Sequence, residues 1–326
     1  MPSSVWSRTR VIGDSDLQLT PIGFGGWAIG GGNYKYSWGH QEDSNSISAI
    51  HTALDLGVNW IDTAPVYGLG HSEEVLARAL NRYSGDRPYI FTKCSMRWHE
   101  DRSIYRSLKA SSVREECENS LRRLQIETID LYQVHGPDPD SEIEEGWAEM
   151  AHLQQEGKVR WIGVSNFNVE QMKRAQRIAR ITSLQPPYSM LRREIEPEIL
   201  PFCRENNIGV ISYSPMSSGL LTGKMTAERV AGLPADDWRK RAVEFNEPRL
   251  SRNLRVVELL REVGNEHGVQ PAVVAIAWTL HNPAITAAIV GGRSAEQVEG
   301  VIPALSFRLT DEEYSRINNF LAENVA

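Results

Sequence analysis

The chain has 326 residues, 41% of them hydrophobic and 24% charged, with a formal net charge of −7. This is ordinary composition for a soluble globular protein, long enough for one large α/β barrel or two modest domains. It excludes the basic surface that nucleic acids or anionic membranes require. Cys94, Cys117 and Cys203 are too few and too scattered for a disulfide framework or a CxxC site, which points to the reducing cytoplasm. The opening MPSSVWSRTR lacks the apolar run of an export signal, and no segment approaches the roughly 18 apolar residues that span a bilayer.

In chain order, TRVIGDSDLQLT (9–20) reads as a β-hairpin turning at Gly13-Asp14, suited to plug a barrel floor. Short apolar runs then alternate with amphipathic segments. The runs are Ile22–Gly25, Trp60–Asp62, Tyr89–Thr92, Ile129–His135, Trp161–Val164, Ser183–Gln185, Val210–Tyr213 and Ala288–Val290. Most are too short for buried helices, and several are rich in Ile, Val, Tyr and Trp, as buried parallel strands are. The segments between them predict helices over 44–56, 72–80, 113–124, 143–156, 169–178, 195–205 and 254–267. Capping boxes are expected at Asn168 with Gln171, Ser294 with Gln297 and Thr310 with Glu313. A terminal helix is expected over 311–323. No linker divides the chain, so 1–326 reads as one domain. The fold expected is α/β, a (β/α)8 TIM barrel with an N-terminal β-hairpin at its floor and a C-terminal helix outside. Three connections are long (27–41, 95–108 and 214–250). All follow strands, at the end of a barrel where active sites are built.

Reactive residues gather at those strand ends. Asp62 closes the second strand, Tyr67 follows five residues later, Lys93 closes the third and His135 the fourth. Together they suit proton delivery to a carbonyl oxygen. Lys93, kept charged by Asp62, would lower the phenol pKa of Tyr67 from its usual ~10, and His135 would orient the carbonyl. Cys94, beside Lys93, should face outward and serve only packing. GFGGWA (23–28) matches a dinucleotide fingerprint, but no helix opens directly after it, so strand-exit glycines are the better reading. VGGRSAEQ (290–297) is the stronger anion site, with Arg293 offering a guanidinium fork. SSGLLTGK (217–224) supplies a second small-residue loop with a basic end. Two phosphate-like loops on adjacent strands suit one long ligand such as NADPH. Zinc signatures, a GxSxG elbow and a Walker loop are absent, and HGPDPD (135–140) reads as a turn rather than a metal site.

The motifs DTAPVYGLGHSEE (62–74), TK (92–93), SLRRLQIETIDLYQVH (120–135), GKVRWIGVSNF (157–167), QPPYS (185–189) and SYSPMSSGLLTGK (212–224) resemble the aldo-keto reductase superfamily over nearly the whole chain, in its bacterial NADPH-dependent branch. The resemblance implies that Asp62, Tyr67, Lys93 and His135 are a catalytic tetrad. It implies that Ser165, Asn166 and Gln185 hold the nicotinamide carboxamide and that Tyr213 stacks on its ring. Ser214, Pro215, Met216, Ser218, Gly219, Leu220 and Lys224 would follow the pyrophosphate, and Gly291, Gly292, Arg293 and Gln297 the 2′-phosphate. Trp27 would serve cofactor and substrate alike, with Trp98, Arg192 and Trp38 as further pocket candidates. Val301 stands where many members carry an adenine-facing Asn, and Val290 where Pro is common. The short tail implies a relatively open pocket. The activity expected is NADPH-dependent reduction of an aldehyde, ketone or open-chain sugar carbonyl, with a small carbonyl compound as partner, neither nucleic acid nor membrane, and no metal. Two alternatives stay open: a Schiff-base aldolase using Lys93, and a cofactor-sensing regulatory subunit.

Overall fold

The computed structural model describes residues 9–32, 34–233 and 237–324. Residues 1–8, which begin the stretch read above as lacking an export signal, lie outside these, as do Asn33 and 234–236 within two of the long connections.

Eight parallel strands close into a barrel. In chain order they are β3 (Ile22–Gly25), β4 (Trp60–Asp62), β5 (Tyr89–Cys94), β8 (Ile129–Val134), β9 (Val159–Ser165), β10 (Ser183–Gln185), β11 (Gly209–Tyr213) and β12 (Ala287–Gly291), with β12 returning to pair with β3. All eight predicted strands are present, five with the expected start and the other three within two residues of it. A short antiparallel hairpin, β1 (Arg10–Val11) with β2 (Gln18–Leu19), precedes them. Its Ile12, Leu17 and Leu19 are fully buried against Trp60, Phe91, Leu131, Ile211 and Ile289 inside the barrel, so the hairpin is the floor plug. Because side chains alternate across a strand, residues two steps further along β4, β5, β8 and β10 also point inward, above this apolar layer. They are Asp62, Lys93, Gln133 and Gln185.

The helices are α1 (Asp43–Asp55), α2 (His71–Leu80), α3 (Ala110–Leu124), α4 (Ile143–Gln155), α5 (Val169–Gln176), α6 (Ile199–Glu205), α7 (Ala227–Ala231), α8 (Arg249–His267), α9 (Pro271–His281), α10 (Ala295–Glu299) and α11 (Asp311–Asn324). Their apolar faces pack on the outside of the sheet. Helix α6 starts four residues later than predicted. Pro197 biases Glu196 away from helical backbone, and a turn fills 195–198. Helix α9 has no counterpart in the sequence reading, because every residue from Pro271 to Leu280 is buried and no polar face marks the helical period. The capping boxes at Asn168 and Thr310 form as expected. At Ser294 only half forms: Ser294 Oγ accepts from Gln297 N, but Gln297 Oε1 reaches back to the Arg293 N–H instead. No helix among the described residues is long and apolar enough to cross a membrane.

The fingerprint-like GFGGWA leads into a single 3₁₀ turn, and α1 waits until Asp43. Gly23 is needed for packing rather than flexibility: a Cβ there would lie 2.2 Å from the Trp60 ring, which fills the barrel beside it.

Candidate active site

The loop after β4 carries Tyr67 over the barrel mouth. Gly68 fixes its course, adopting φ +69° while the Gly30 carbonyl sits 1.9 Å from where a Cβ would be, so only glycine lets the two loops touch. Glu73, buried at the start of α2, braces the loop by accepting from Thr92 Oγ1 and Arg123 Nε, both at 2.6 Å. The four expected residues converge. Lys93 Nζ donates to Asp62 Oδ1 at 2.5 Å, to the Thr63 carbonyl at 2.9 Å and to Tyr67 OH at 3.5 Å. The Tyr67 and His135 rings meet edge to face with centroids 5.7 Å apart. Gln133 and Gln185, the former absent from the sequence reading, donate to Asp62 Oδ2 at 3.1 and 2.8 Å. Gln133 lies two residues before His135 on the same face of β8, a signal that strand alternation carries.

The electrostatics correct one expectation. The Tyr67 phenol is pushed well above its ordinary value, chiefly by burial and then by the Asp62 charge. It is not lowered by Lys93. The ammonium is already matched by Asp62, so the phenol meets an ion pair rather than a free cation. Burial pulls Lys93 itself down while Asp62 pushes back. Burial, followed by the nearby Lys93 and Arg106 cations, holds His135 well below its usual range, so the imidazole is neutral at pH 7 and can donate a hydrogen bond.

Around this centre runs a polar rim. Ser165 Oγ donates to the Gln185 carbonyl at 2.7 Å, Asn166 Nδ2 to the His135 carbonyl at 3.0 Å, and Tyr213 OH to Asn166 Oδ1 at 2.9 Å. Arg192 is exposed near Tyr213 and lowers its pKa against the larger effect of burial. Asp138 and Asp140 are taken by Arg106 and Arg174, so neither joins His135. Cys94 packs against Met150, as expected.

The two small-residue loops meet. Lys224 Nζ, after β11, lies 3.7 Å from Glu296 in the first turn of α10, which follows the loop after β12. Ser217, Ser218 and Gly219 are all left-handed, a backbone form that turns successive N–H groups toward one side. Arg239 Nη1 lies 3.9 Å from where a Cβ on Gly219 would be, and Asp237 holds that guanidinium through Nε and Nη2 at 3.0 and 2.6 Å. Leu220 can serve only through its backbone. Its side chain is fully buried among Met225, Val230, Phe245 and Leu250, leaving only its backbone to face a ligand. Arg293 is also less free than expected, donating to the carbonyls of Trp38 and His40 and to Gln41 Oε1. Three of its five N–H groups are thereby used, and two remain.

Aromatic side chains crowd the pocket. Trp27 stacks beside Tyr67 with centroids 6.3 Å apart, and Trp238 from the long connection after β11 stacks on Trp27 at 6.2 Å. Trp38 stands edge-on to both indoles. The connection after β5 forms a second hairpin, β6 (Met96–Trp98) with β7 (Ile104–Arg106), which places Met96 and Ile104 against Tyr67. Trp98 pairs with Ile104, and its ring lies 6.0 Å from the Arg123 guanidinium. Trp238, Arg239 and Arg106 were not singled out in the sequence, because nothing in an aperiodic loop marks which way its residues turn.

The family model described as "Aldo/keto reductase family" matches residues 21–322. The chain is 38% identical to aldo-keto reductase YhdN of Bacillus subtilis over 97% of this chain and 94% of that one. It is 33% identical to the NADH-specific methylglyoxal reductase of Escherichia coli, over 93% of this chain and 94% of that one. The structure of glycerol dehydrogenase AKR11B4 from Gluconobacter oxydans superposes with a TM-score of 0.90 at 38% identity, covering 98% of this chain and 97% of the other. A closed parallel barrel with Asp62, Tyr67, Lys93 and His135 gathered at its mouth, matched along nearly its whole length, belongs to the aldo/keto reductase family of nicotinamide-dependent oxidoreductases.

Proposed function

We propose that the protein is a cytoplasmic, single-domain reductase of small carbonyl compounds that prefers NADPH and uses Tyr67 as its general acid. The observation that carries this reading is the linked set Asp62–Lys93–Tyr67, with the neutral His135 beside the phenol. The raised pKa keeps the proton on Tyr67 until it is needed. His135 donates to the carbonyl oxygen and orients it, and Tyr67 OH passes its proton to that oxygen as the carbon is reduced. Lys93 then faces the phenolate left behind. A bound nicotinamide cofactor supplies the hydride to the carbonyl carbon.

The residues present fit a dinucleotide. The left-handed run at 217–219, with Arg239 facing it and Lys224 nearby, suits a pyrophosphate. The two remaining N–H groups of Arg293 suit the 2′-phosphate. Ser165, Asn166 and Gln185 would hold the carboxamide, with Tyr213 against the ring. The E. coli relative is NADH-specific by name, so the NADPH preference rests on Arg293. All three cysteines are buried and unpaired, which suits a reducing compartment. A Schiff base at Lys93 is disfavoured, because its ammonium already has three acceptors.

Tyr67→Phe tests the acid. Cofactor affinity should persist while turnover of an aldehyde falls by roughly 10²–10⁴. Near-native turnover would move the acid role to another group, with His135 next.

A further inference from the structure

The aromatic residues around Tyr67 include three buried donors without an acceptor among the described residues, Tyr34 OH and two neighbouring indoles. Five other indoles donate normally: Trp27 Nε1 in the same group to the Tyr36 carbonyl, and elsewhere Trp60 to Thr20, Trp147 to Ala179, Trp161 to Asp16 and Trp278 to Asn318, at 2.8 to 3.3 Å. Trp38 Nε1 and Trp238 Nε1 are also buried, yet neither has a hydrogen-bond partner among the described residues. A buried donor without an acceptor is costly and is seldom retained without a use. These two belong to neighbouring side chains. Their rings are 5.9 Å apart at 89°, and both touch Trp27, which stacks beside Tyr67. An edge-on indole can point its N–H at a ring face, but that contact is much weaker than one to oxygen.

The pair is held in place. The Arg239 guanidinium lies 4.9 Å from the Trp38 ring and is itself gripped by Asp237, so the residues on both sides of Trp238 are tethered. Arg293 fixes Trp38 from behind through its carbonyl. Tyr34 and Tyr213 also lie near the phenol, and the apolar part of the wall is made by Ala64, Val66, Met96 and Ile104. That part offers C–H contacts and no charge, while the two indoles offer donors only.

We propose that Trp38 and Trp238 determine specificity in this site, their indole N–H groups donating to hydroxyl oxygens of a neutral, polyhydroxylated carbonyl substrate whose carbonyl lies at Tyr67 and His135. The proposal rests on the reading of the site as a carbonyl reductase. It adds what that reading leaves open, a preference for hydroxylated over plain aldehydes of the same length. Glycerol dehydrogenase AKR11B4, by name an enzyme of a polyol, is similar along nearly the whole chain, which agrees with this substrate class.

The test compares glyceraldehyde with propanal in the wild type, Trp38→Phe and Trp238→Phe. Phenylalanine keeps an aromatic face and removes the N–H along with the five-membered ring, so the propanal rate reports the loss of packing alone. The ratio of kcat/KM for the two aldehydes, taken variant against wild type, cancels their intrinsic reactivities. Each variant should lose about tenfold of the preference for glyceraldehyde, the scale of one uncharged hydrogen bond, while propanal turnover and the Kd for NADPH and NADH stay within about twofold. Equal losses on both aldehydes, or no loss on either, would overturn the assignment. A weakened cofactor Kd with unchanged aldehyde discrimination would also overturn it, because the acceptors would then be the cofactor's oxygens. A wild type that turns over neither aldehyde would refute the reductase reading itself, and the specificity assignment with it.

Discussion

Replacing Asp62 with asparagine isolates the charge at the centre of the site. Asp62 Oδ1 accepts from Lys93 Nζ at 2.5 Å, and Oδ2 accepts from Gln133 and Gln185. Both members of the ion pair are almost completely buried. Asparagine keeps the size and one oxygen that can accept from Lys93, but removes the counter-charge, leaving the ammonium with neutral acceptors only, the Thr63 carbonyl and Tyr67 OH among them. Stranding one member of a buried pair costs about 3–5 kcal/mol. The protein limits that loss by releasing the Lys93 proton, since burial already lowers its pKa and Asp62 is the main group opposing burial. In the variant the folded pKa drops further below the unfolded value of about 10.4. Between those two values the unfolded chain binds more protons, so stability rises with pH. Asp62→Asn should therefore trail the wild type by several kcal/mol near pH 7 and recover much of the deficit by about pH 9.5. Urea denaturation at both pH values measures this. A deficit of the same size at both would mean that the Lys93 charge is not what Asp62 stabilises.

Three further outcomes follow from particular contacts. Arg293→Ala should raise the Kd for NADPH about tenfold to a hundredfold, the scale of one charge-assisted hydrogen bond, and barely alter NADH. Equal losses in fluorescence titrations would show Arg293 acting through the 38–41 segment that it also holds. Arg106→Met removes a cation that lowers the His135 pKa, so the acid limb of the kcat/KM profile should move to higher pH; an unmoved limb would dissociate Arg106 from His135. Glu116 is buried with its carboxyl pushed up to about 7, so the folded chain keeps a proton that the unfolded chain sheds. Wild-type stability should thus fall by roughly 3 kcal/mol between about pH 4.5 and 7, and Glu116→Gln should flatten that fall in pH-dependent melts.

The barrel was legible because its strands are buried on both faces and therefore read as short, unbroken apolar runs between amphipathic helices. The same logic hid α9: a helix with every side through Leu280 buried has no period to detect. The tetrad was legible because strand ends are fixed points. Once Trp60–Asp62, Tyr89–Cys94 and Ile129–Val134 are strands in one barrel, Asp62, Lys93 and His135 must share its rim. The roof was not legible. Trp238 and Arg239 lie in a connection without periodicity, and only the folded chain shows that one meets Trp27 and the other faces Gly219. Arg293 was found by its motif, but its partners at 38–41 lie some 250 residues away, beyond any local pattern.

The expected sign of the Tyr67 shift failed for a related reason. From sequence, a lysine near a tyrosine lowers the phenol pKa. In the fold, Lys93 is neutralised by Asp62, and Trp27 covers the phenol, with Trp238 stacked on Trp27 in turn. Burial is then the largest influence, and it opposes the phenolate. For reduction this is an advantage. An alkoxide forming at the carbonyl is far more basic than a phenolate, so the transfer is downhill even from a weakened acid, and the proton is not lost to solvent beforehand. The cost falls on the next step, when the phenolate must regain a proton. Only Lys93 among the tetrad, 3.5 Å away and cationic, is placed to stabilise that phenolate. Lys93 therefore acts through the phenolate, the product of the proton transfer, and its removal should destabilise that phenolate and slow reduction of the carbonyl.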